Sequence, residues 1–315
     1  VATTMPKMCS GNMNWLLRVC ILLWGSATNV DAIAKETDTS NPEPIYTLSL
    51  WPAAMPGDNG VVGEETSNNC GISNISKPTL SVFLPSNPNG KTVLIVPGGG
   101  YGNVCVNVEG TPQIDGLLEQ GIAAFVVKYR LPNGNRNVPM WDGMRALQII
   151  RANSERWQID PSKVGVWGFS AGGHLSSLLS NGVGEPYPAP KDSISRESPV
   201  PDFSILFYPV ISMDDSIVHR GSRRNLLGSD EPSRSDIAEF STDKRITAST
   251  PPTYLIHCKD DKVVPIENSK VYFESLQAEG VESELHVYEE GGHGIGVMNT
   301  NKEWESQLNA WLARR

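Results

Sequence analysis

The chain has 315 residues, a formal net charge of −9, and 39% hydrophobic against 19% charged residues. Lys and Arg are scattered, and their densest group, Arg220, Arg223 and Arg224, is too small to neutralise a run of phosphates, which excludes nucleic-acid binding as the main role. Gly and Pro together stay below the roughly 25–30% that marks a disordered chain, no fixed-period repeat suggests a solenoid, and one large domain of this length buries about 75% of its unfolded surface.

At the N-terminus, Lys7 and Arg18 precede the apolar run Val19-Cys20-Ile21-Leu22-Leu23-Trp24, which ends in small residues at Gly25-Ser26-Ala27 and again at Ala32. Basic start, short apolar centre and small-residue end predict a secretory signal peptide over residues 1–32, because the run falls short of the ~20 residues that span a bilayer. Residues 33–315 are then expected to form one catalytic domain. Of the five Cys, Cys9 and Cys20 fall in that leader, so Cys70, Cys105 and Cys258 allow at most one disulfide. Neither Cys nor His spacing resembles a metal site, and no metal or organic cofactor is expected.

From residue 45 onward, short apolar runs alternate with helical patterns. Residues 45–50 and 79–84 read as early strands, and Thr92-Val93-Leu94-Ile95-Val96 as a strand buried on both faces. Thr111-Pro112 reads as a helix cap followed by Pro at the first position, with the helix running to Gln120 and stopping at Gly121. Residues 122–129 form the next buried strand. Asp142 is expected to cap a helix that carries Leu147, Ile150, Ser154 and Trp157 on one face. A strand at 164–168 runs into a helix from Ala171. Further strands are expected at 203–208, 253–258 and 284–288, with helices at 267–278 and 302–312. Such alternation predicts a mostly parallel sheet covered on both faces. Residues 181–250 interrupt the rhythm and read as an insertion between late strands, shaping the substrate site or making a passive excursion.

The chemistry concentrates in Gly168-Phe169-Ser170-Ala171-Gly172. The pattern G-x-S-x-G between a buried strand and a helix is a nucleophile elbow, whose glycines let strand and helix approach closely while Ser stands out of the sheet. A serine hydroxyl needs a base, and the base needs an orienting carboxylate. Among the five His, His293 stands out because glycines flank it after the last strand. His286 lies within a strand, His257 ends one, His174 follows Ser170 too closely to act on it and reads as a packing residue, and His219 sits in the insertion. The acid is Asp260 or Asp261, at the carboxyl edge of a buried strand. Asp261 is favoured because Val263-Val264-Pro265 turns the chain after it, leaving Asp260 to solvent or to loop capping. The order Ser170, Asp261, His293 is that of an α/β-hydrolase. Gly98-Gly99-Gly100 offers backbone N–H groups for an oxyanion, with donors expected from Gly99 or Gly100 and from Ala171. Gly98 and Gly100 also begin a dinucleotide fingerprint, which fails at Asn103.

With these motifs, the chain resembles the α/β-hydrolase carboxylesterases, in the branch of bacterial acetyl xylan and feruloyl esterase-like enzymes. The resemblance rests on Leu50-Trp51-Pro52, Pro97-Gly98-Gly99-Gly100-Tyr101, Lys128-Tyr129-Arg130-Leu131-Pro132, the elbow through Leu175, and Pro251-Pro252-Thr253-Tyr254. It implies Ser170 as nucleophile, Asp261 as acid, His293 as base, and an oxyanion hole from the glycine loop and Ala171. It also implies a secreted esterase acting on small-molecule or carbohydrate esters, acetyl groups on xylan among them. Tyr101 is either a stacking surface for a sugar or aryl ring or a loop-packing residue. The same triad also suits a peptidase or an arylformamidase, and a non-catalytic binding protein on this fold is the reading from another class.

Overall fold

The computed structural model describes residues 42–182 and 192–315. The expected leader lies outside them. The strands are β1 (Tyr46–Ser49), β2 (Thr66–Ser67), β3 (Ile72–Ser73), β4 (Thr79–Phe83), β5 (Thr92–Val96), β6 (Ala123–Lys128), β7 (Val164–Phe169), β8 (Phe203–Phe207), β9 (Thr253–Cys258) and β10 (Ser283–Tyr288). The helices are α1 (Ile114–Glu119), α2 (Val138–Ala152), α3 (Ser154–Trp157), α4 (Ser170–Ser180), α5 (Arg220–Leu227), α6 (Arg234–Phe240), α7 (Glu267–Ala278), α8 (Gly296–Thr300) and α9 (Glu303–Leu312).

Eight strands form one sheet in the order β1-β4-β6-β5-β7-β8-β9-β10, the α/β-hydrolase arrangement. The first two pairings are antiparallel, and every pairing from β6 to β10 is parallel. The central strands bury every residue, and their alternation feeds two layers of core. Leu94, Val96, Val164 and Val166 pack on one face with Leu147 and Ile150 of α2 and Leu175 and Leu178 of α4. Val93, Ile95, Trp167 and Phe169 pack on the other with Ile114 of α1 and Trp311 of α9. From β5 the chain passes to β6 on one side and then crosses to β7 on the other, so the strand order reverses between β5 and β7. The loops that leave those two strands therefore diverge and open a crevice at the carboxyl edge, where ligands bind in open α/β sheets.

Four local expectations are corrected. Thr111 is not a cap: a wide helical turn at Val106–Gly110 precedes it, its hydroxyl bonds the Val106 carbonyl, and α1 starts at Ile114. Asp142 does not cap α2, which begins at Val138 with Pro in its first turn. Asp142 lies inside the helix, fully buried, and takes Trp51 Nε1 at 2.7 Å, the Arg130 backbone N–H at 2.8 Å and the Arg130 guanidinium at 2.8 and 2.9 Å. Two of the motifs quoted above thus meet at one carboxylate. That helix also stops short of Ser154, since the chain breaks at Asn153 before α3. The insertion is not one excursion either, because β8 runs through it as a fully buried strand between β7 and β9. What remains is a connection before β8 and a longer one after it that carries α5 and α6.

One disulfide, Cys70–Cys105, forms beside the bridge between Ile72 and Val104, whereas Cys258 is free and buried. Among the described residues, no helix is long and apolar enough to cross a membrane.

Candidate active site

Ser170 opens α4 in a left-handed conformation, φ 51°, which a side chain adopts only when its surroundings hold it there. The surroundings here are tight. A Cβ on Gly172 would lie 2.0 Å from the Val96 carbonyl oxygen, so only glycine lets the helix approach the end of β5. The Ser170 carbonyl is itself tied down by the Val210 N–H at 3.0 Å. As a result the hydroxyl projects from the carboxyl edge of the sheet.

The Ser170 Oγ lies 2.9 Å from His293 Nε2, and His293 Nδ1 lies 2.7 Å from Asp261 Oδ2. Three residues 91 and 32 positions apart in sequence are thus joined in one hydrogen-bonded line. His293 follows β10, and its ring packs edge-on against Tyr208 with centroids 4.8 Å apart. Asp261 follows β9. Its Oδ1 accepts the Val263 and Val264 N–H groups at 2.8 and 2.9 Å, so the turn expected from Val263-Val264-Pro265 aims the carboxylate inward. Burial alone would raise the pKa of Asp261, but bonds from His257, His293 and the Val264 N–H outweigh it and hold the carboxyl well below the usual range. The neighbouring Asp260 is a loop clamp: its two oxygens accept the Gly292 and Gly291 N–H groups at 2.7 and 3.3 Å. One aspartate holds the imidazole of His293 and the other holds the backbone before it.

The glycine loop lies directly against the nucleophile, since a Cβ on Gly98 would come within 2.8 Å of Ser170 Cβ. Gly99 has φ 117°, a region closed to other residues, and its carbonyl receives the Gly102 and Asn103 N–H groups at 3.1 Å. Among the described residues, the N–H groups of Gly99 and Gly100 have no acceptor, and that of Ala171 is in the first turn of α4, where helix geometry supplies none. The three residues expected at an oxyanion hole therefore carry uncommitted donors beside Ser170.

Of the two readings of Tyr101, the geometry favours packing. Its ring is buried at 2% exposure, packs on Tyr129, and bonds His174 Nδ1 through its hydroxyl at 2.8 Å. At that burial the ring offers little surface to a ligand beyond the edge that borders the cavity described below, and the loop-packing reading fits. His174 in turn donates from Nε2 to the Phe240 carbonyl at 2.8 Å, which fixes the neutral tautomer. Burial, only partly offset by that bond, lowers its pKa to about 4.

Sequence reasoning passed over two supporting residues. Glu109 is buried below the loop, where one oxygen accepts the Gly98 N–H at 2.7 Å and the other the Tyr208 hydroxyl at 3.2 Å. Its burial raises its pKa, opposed by the Gly98 N–H, by His293 and by Tyr208. A lone acid within the short stretch Val106–Gly110, otherwise free of charge, was the available signal. His257, noted only as a strand end, is fully buried and donates from Nε2 to Asp261 Oδ2 and the Val264 carbonyl at 3.1 and 3.0 Å.

The late insertion closes over this loop. Asn225 of α5 donates to the Gly100 carbonyl at 2.8 Å, and His219 caps α5 by accepting the Ser222 N–H at 3.2 Å. Along the same helix, Arg224 and Asn225 join Asn74, Asn133 and Gly102 around an open cavity of about 360 Å³. Among the described residues, no cluster of His, Cys, Asp and Glu is suited to a metal ion.

Known proteins are similar to this chain. The chain is 40% identical over 230 residues to an acetylxylan esterase of Xylanibacter ruminicola, covering 71% of this chain and 45% of that protein. It is 33% identical over 214 residues to the endo-1,4-beta-xylanase B of Butyrivibrio fibrisolvens, covering 66% of this chain and 33% of that protein. The chain thus spans less than half the length of these two curated relatives. Among solved structures, the acetyl ester-xyloside bifunctional hydrolase of Caldicellulosiruptor lactoaceticus superposes with a TM-score of 0.72 at 32% identity, covering 86% of this chain and 97% of that one. Residues 80–276, from β4 through most of α7 and including the glycine loop, the elbow and Asp261, match one family along their length, and on that match the chain belongs to the BD-FAE family.

Proposed function

We propose that this protein is a serine carboxylesterase that hydrolyses short-chain carboxylic esters, with acetyl esters of xylan or related carbohydrates as its substrates. The observation that carries the reading is the line Asp261–His293–Ser170, bonded at 2.7 and 2.9 Å and ending beside a loop with uncommitted N–H donors. Asp261 accepts a hydrogen bond from His293 Nδ1–H, which leaves Nε2 free to take the proton of the Ser170 hydroxyl. Ser170 Oγ attacks the ester carbonyl carbon. The carbonyl oxygen becomes an oxyanion among the N–H groups of Gly99, Gly100 and Ala171, helped by the positive end of α4. Collapse of this intermediate breaks the bond to the alkoxy oxygen, which leaves as the alcohol with the proton from His293. His293 then removes a proton from water, whose oxygen attacks the acyl-enzyme carbonyl; the bond to Ser170 Oγ breaks, Oγ takes the proton back from His293, and the acid is released. The names of the relatives favour an acetylated carbohydrate as substrate. The Cys70–Cys105 disulfide supports an oxidising compartment, hence secretion, with residues 33–315 as the catalytic domain.

Steady-state hydrolysis of 4-nitrophenyl acetate and of acetylated xylo-oligosaccharide by wild type and Ser170→Ala tests the reading. Loss of three or more orders of magnitude in kcat on both is expected. Unchanged turnover in Ser170→Ala would overturn it, as would failure of a fluorophosphonate to label Ser170.

A further inference from the structure

His219 is the one histidine near the site whose outer nitrogen is unspent. Its Nδ1 accepts the Ser222 N–H at 3.2 Å and lies 2.7 Å from the buried Ser222 hydroxyl. An Nδ1 that accepts a backbone N–H carries no proton, so the neutral ring holds its proton on Nε2 and presents a donor there. Among the described residues, nothing accepts that donor. The other four histidines each engage a protein group through Nε2.

The position of the ring is equally specific. Its Cε1, the atom between the two nitrogens, sits 3.8 Å from where a Cβ on Gly100 would be and 3.3 Å from where one on Gly221 would be. The imidazole edge therefore stands between two residues without side chains, directly against the glycine loop. It also feels the charges of His293 and Asp261, which places it within electrostatic reach of the triad.

We infer that His219 Nε2–H is a substrate-recognition donor that binds a hydroxyl oxygen beside the esterified carbon, on the alcohol half of a carbohydrate ester. The inference rests on the esterase reading and deepens it. An acetyl group carries no acceptor besides its carbonyl oxygen, which the Gly99, Gly100 and Ala171 N–H groups take. A further donor against the same loop is chemically matched only to the alcohol, and a sugar supplies a hydroxyl there where a nitrophenyl ring supplies none. The helix that His219 caps also packs onto the Gly100 carbonyl through Asn225, so donor and oxyanion loop are held in one rigid relation.

Two substitutions separate the cap from the donor. His219→Asn keeps a side-chain oxygen for the Ser222 N–H but does not reach the position of Nε2. His219→Gln reaches that position with an amide N–H but caps poorly. Both, with wild type, are assayed on acetylated xylo-oligosaccharide and on 4-nitrophenyl acetate, with thermal melts recorded alongside. The quantity read is the ratio of kcat/KM for the sugar ester to that for the aryl ester. His219→Asn is expected to lower this ratio about fivefold to tenfold, the worth of one hydrogen bond, and His219→Gln to restore most of it. A ratio unchanged in His219→Asn, because both esters are unaffected or fall together, overturns the inference, as does a ratio equally low in both variants. Failure of the esterase reading is distinguishable, because wild type would then hydrolyse neither ester.

Discussion

His257 and Asp261 lie four residues apart across the end of β9, and His257 Nε2 reaches Asp261 Oδ2 at 3.1 Å, the same oxygen that bonds His293 Nδ1. Nδ1 of His257 lies 2.8 Å from the Ser269 hydroxyl of α7, so a second histidine anchors the acid to the helix behind it. Replacing Asp261 with Asn should lower kcat by about 10³- to 10⁴-fold, because the amide disfavours the tautomer of His293 that accepts the Ser170 proton. His257→Leu removes one donor to a charged group and should cost about 10- to 100-fold. Asp260→Ala loosens only the backbone before His293 and should cost less than either. Steady-state kinetics on one ester ranks the three. A larger loss in Asp260→Ala than in Asp261→Asn would reverse the assignment of the acid.

Glu109 holds the glycine loop through the Gly98 N–H and braces Tyr208, the ring that packs against His293. With its one oxygen on the Gly98 N–H, the Gln of Glu109→Gln turns its amide to the Tyr208 hydroxyl, which must accept instead of donate, and a carboxylate bond to the loop becomes a neutral one. The loop should shift, and because oxyanion contacts act in the transition state, kcat should fall about 10- to 100-fold with little change in KM. A rise in KM at constant kcat would show that Glu109 supports ground-state binding instead.

The Arg130–Asp142 pair is fully buried, and both Nη1 N–H groups of the guanidinium rest on the Pro56 and Gly57 carbonyls at 3.0 Å. Asp142→Asn leaves the Arg130 charge without its counter-charge in a dry interior and should destabilise the protein by about 3–5 kcal/mol. Urea denaturation of wild type and variant measures this directly, and a loss below about 1 kcal/mol would mean that water reaches the pair.

His174 makes stability depend on pH. Its folded pKa, about 4, lies below the ordinary 6.5, so between these values the unfolded chain binds the extra proton. The neutral form therefore stabilises the fold fully above pH 6.5, and that stabilisation drains away as pH falls toward 4, by about 3 kcal/mol over the window. His174→Gln should flatten the decline in unfolding free energy between pH 6.5 and 4, and an equally steep decline in the variant would sink the assignment.

The features that were legible in the sequence share a physical cause: they are local. A buried strand must be continuously apolar, an elbow needs glycines within two residues of its serine, and a turn of Val263-Val264-Pro265 follows its own acid. The runs at 92–96 and 164–168, the Gly168–Gly172 elbow, the choice of Asp261, and the order of Ser170, Asp261 and His293 were legible on that basis. The expectations that failed, or were never formed, depend on partners far along the chain. Asp142 looks like a cap until Arg130 and Trp51 arrive to bury it. Tyr101 stays open between a stacking and a packing role until His174 takes its hydroxyl. Glu109 acquires a role only from Gly98 and Tyr208, and Cys105 finds Cys70 only once β3 pairs with Val104. Sequence by itself determined the sheet, the elbow and the candidate triad, because local sterics and strand burial are written residue by residue. Tertiary structure alone decided which polar side chains point inward and what satisfies them, because a buried polar group is stable only beside a partner that folding brings from elsewhere.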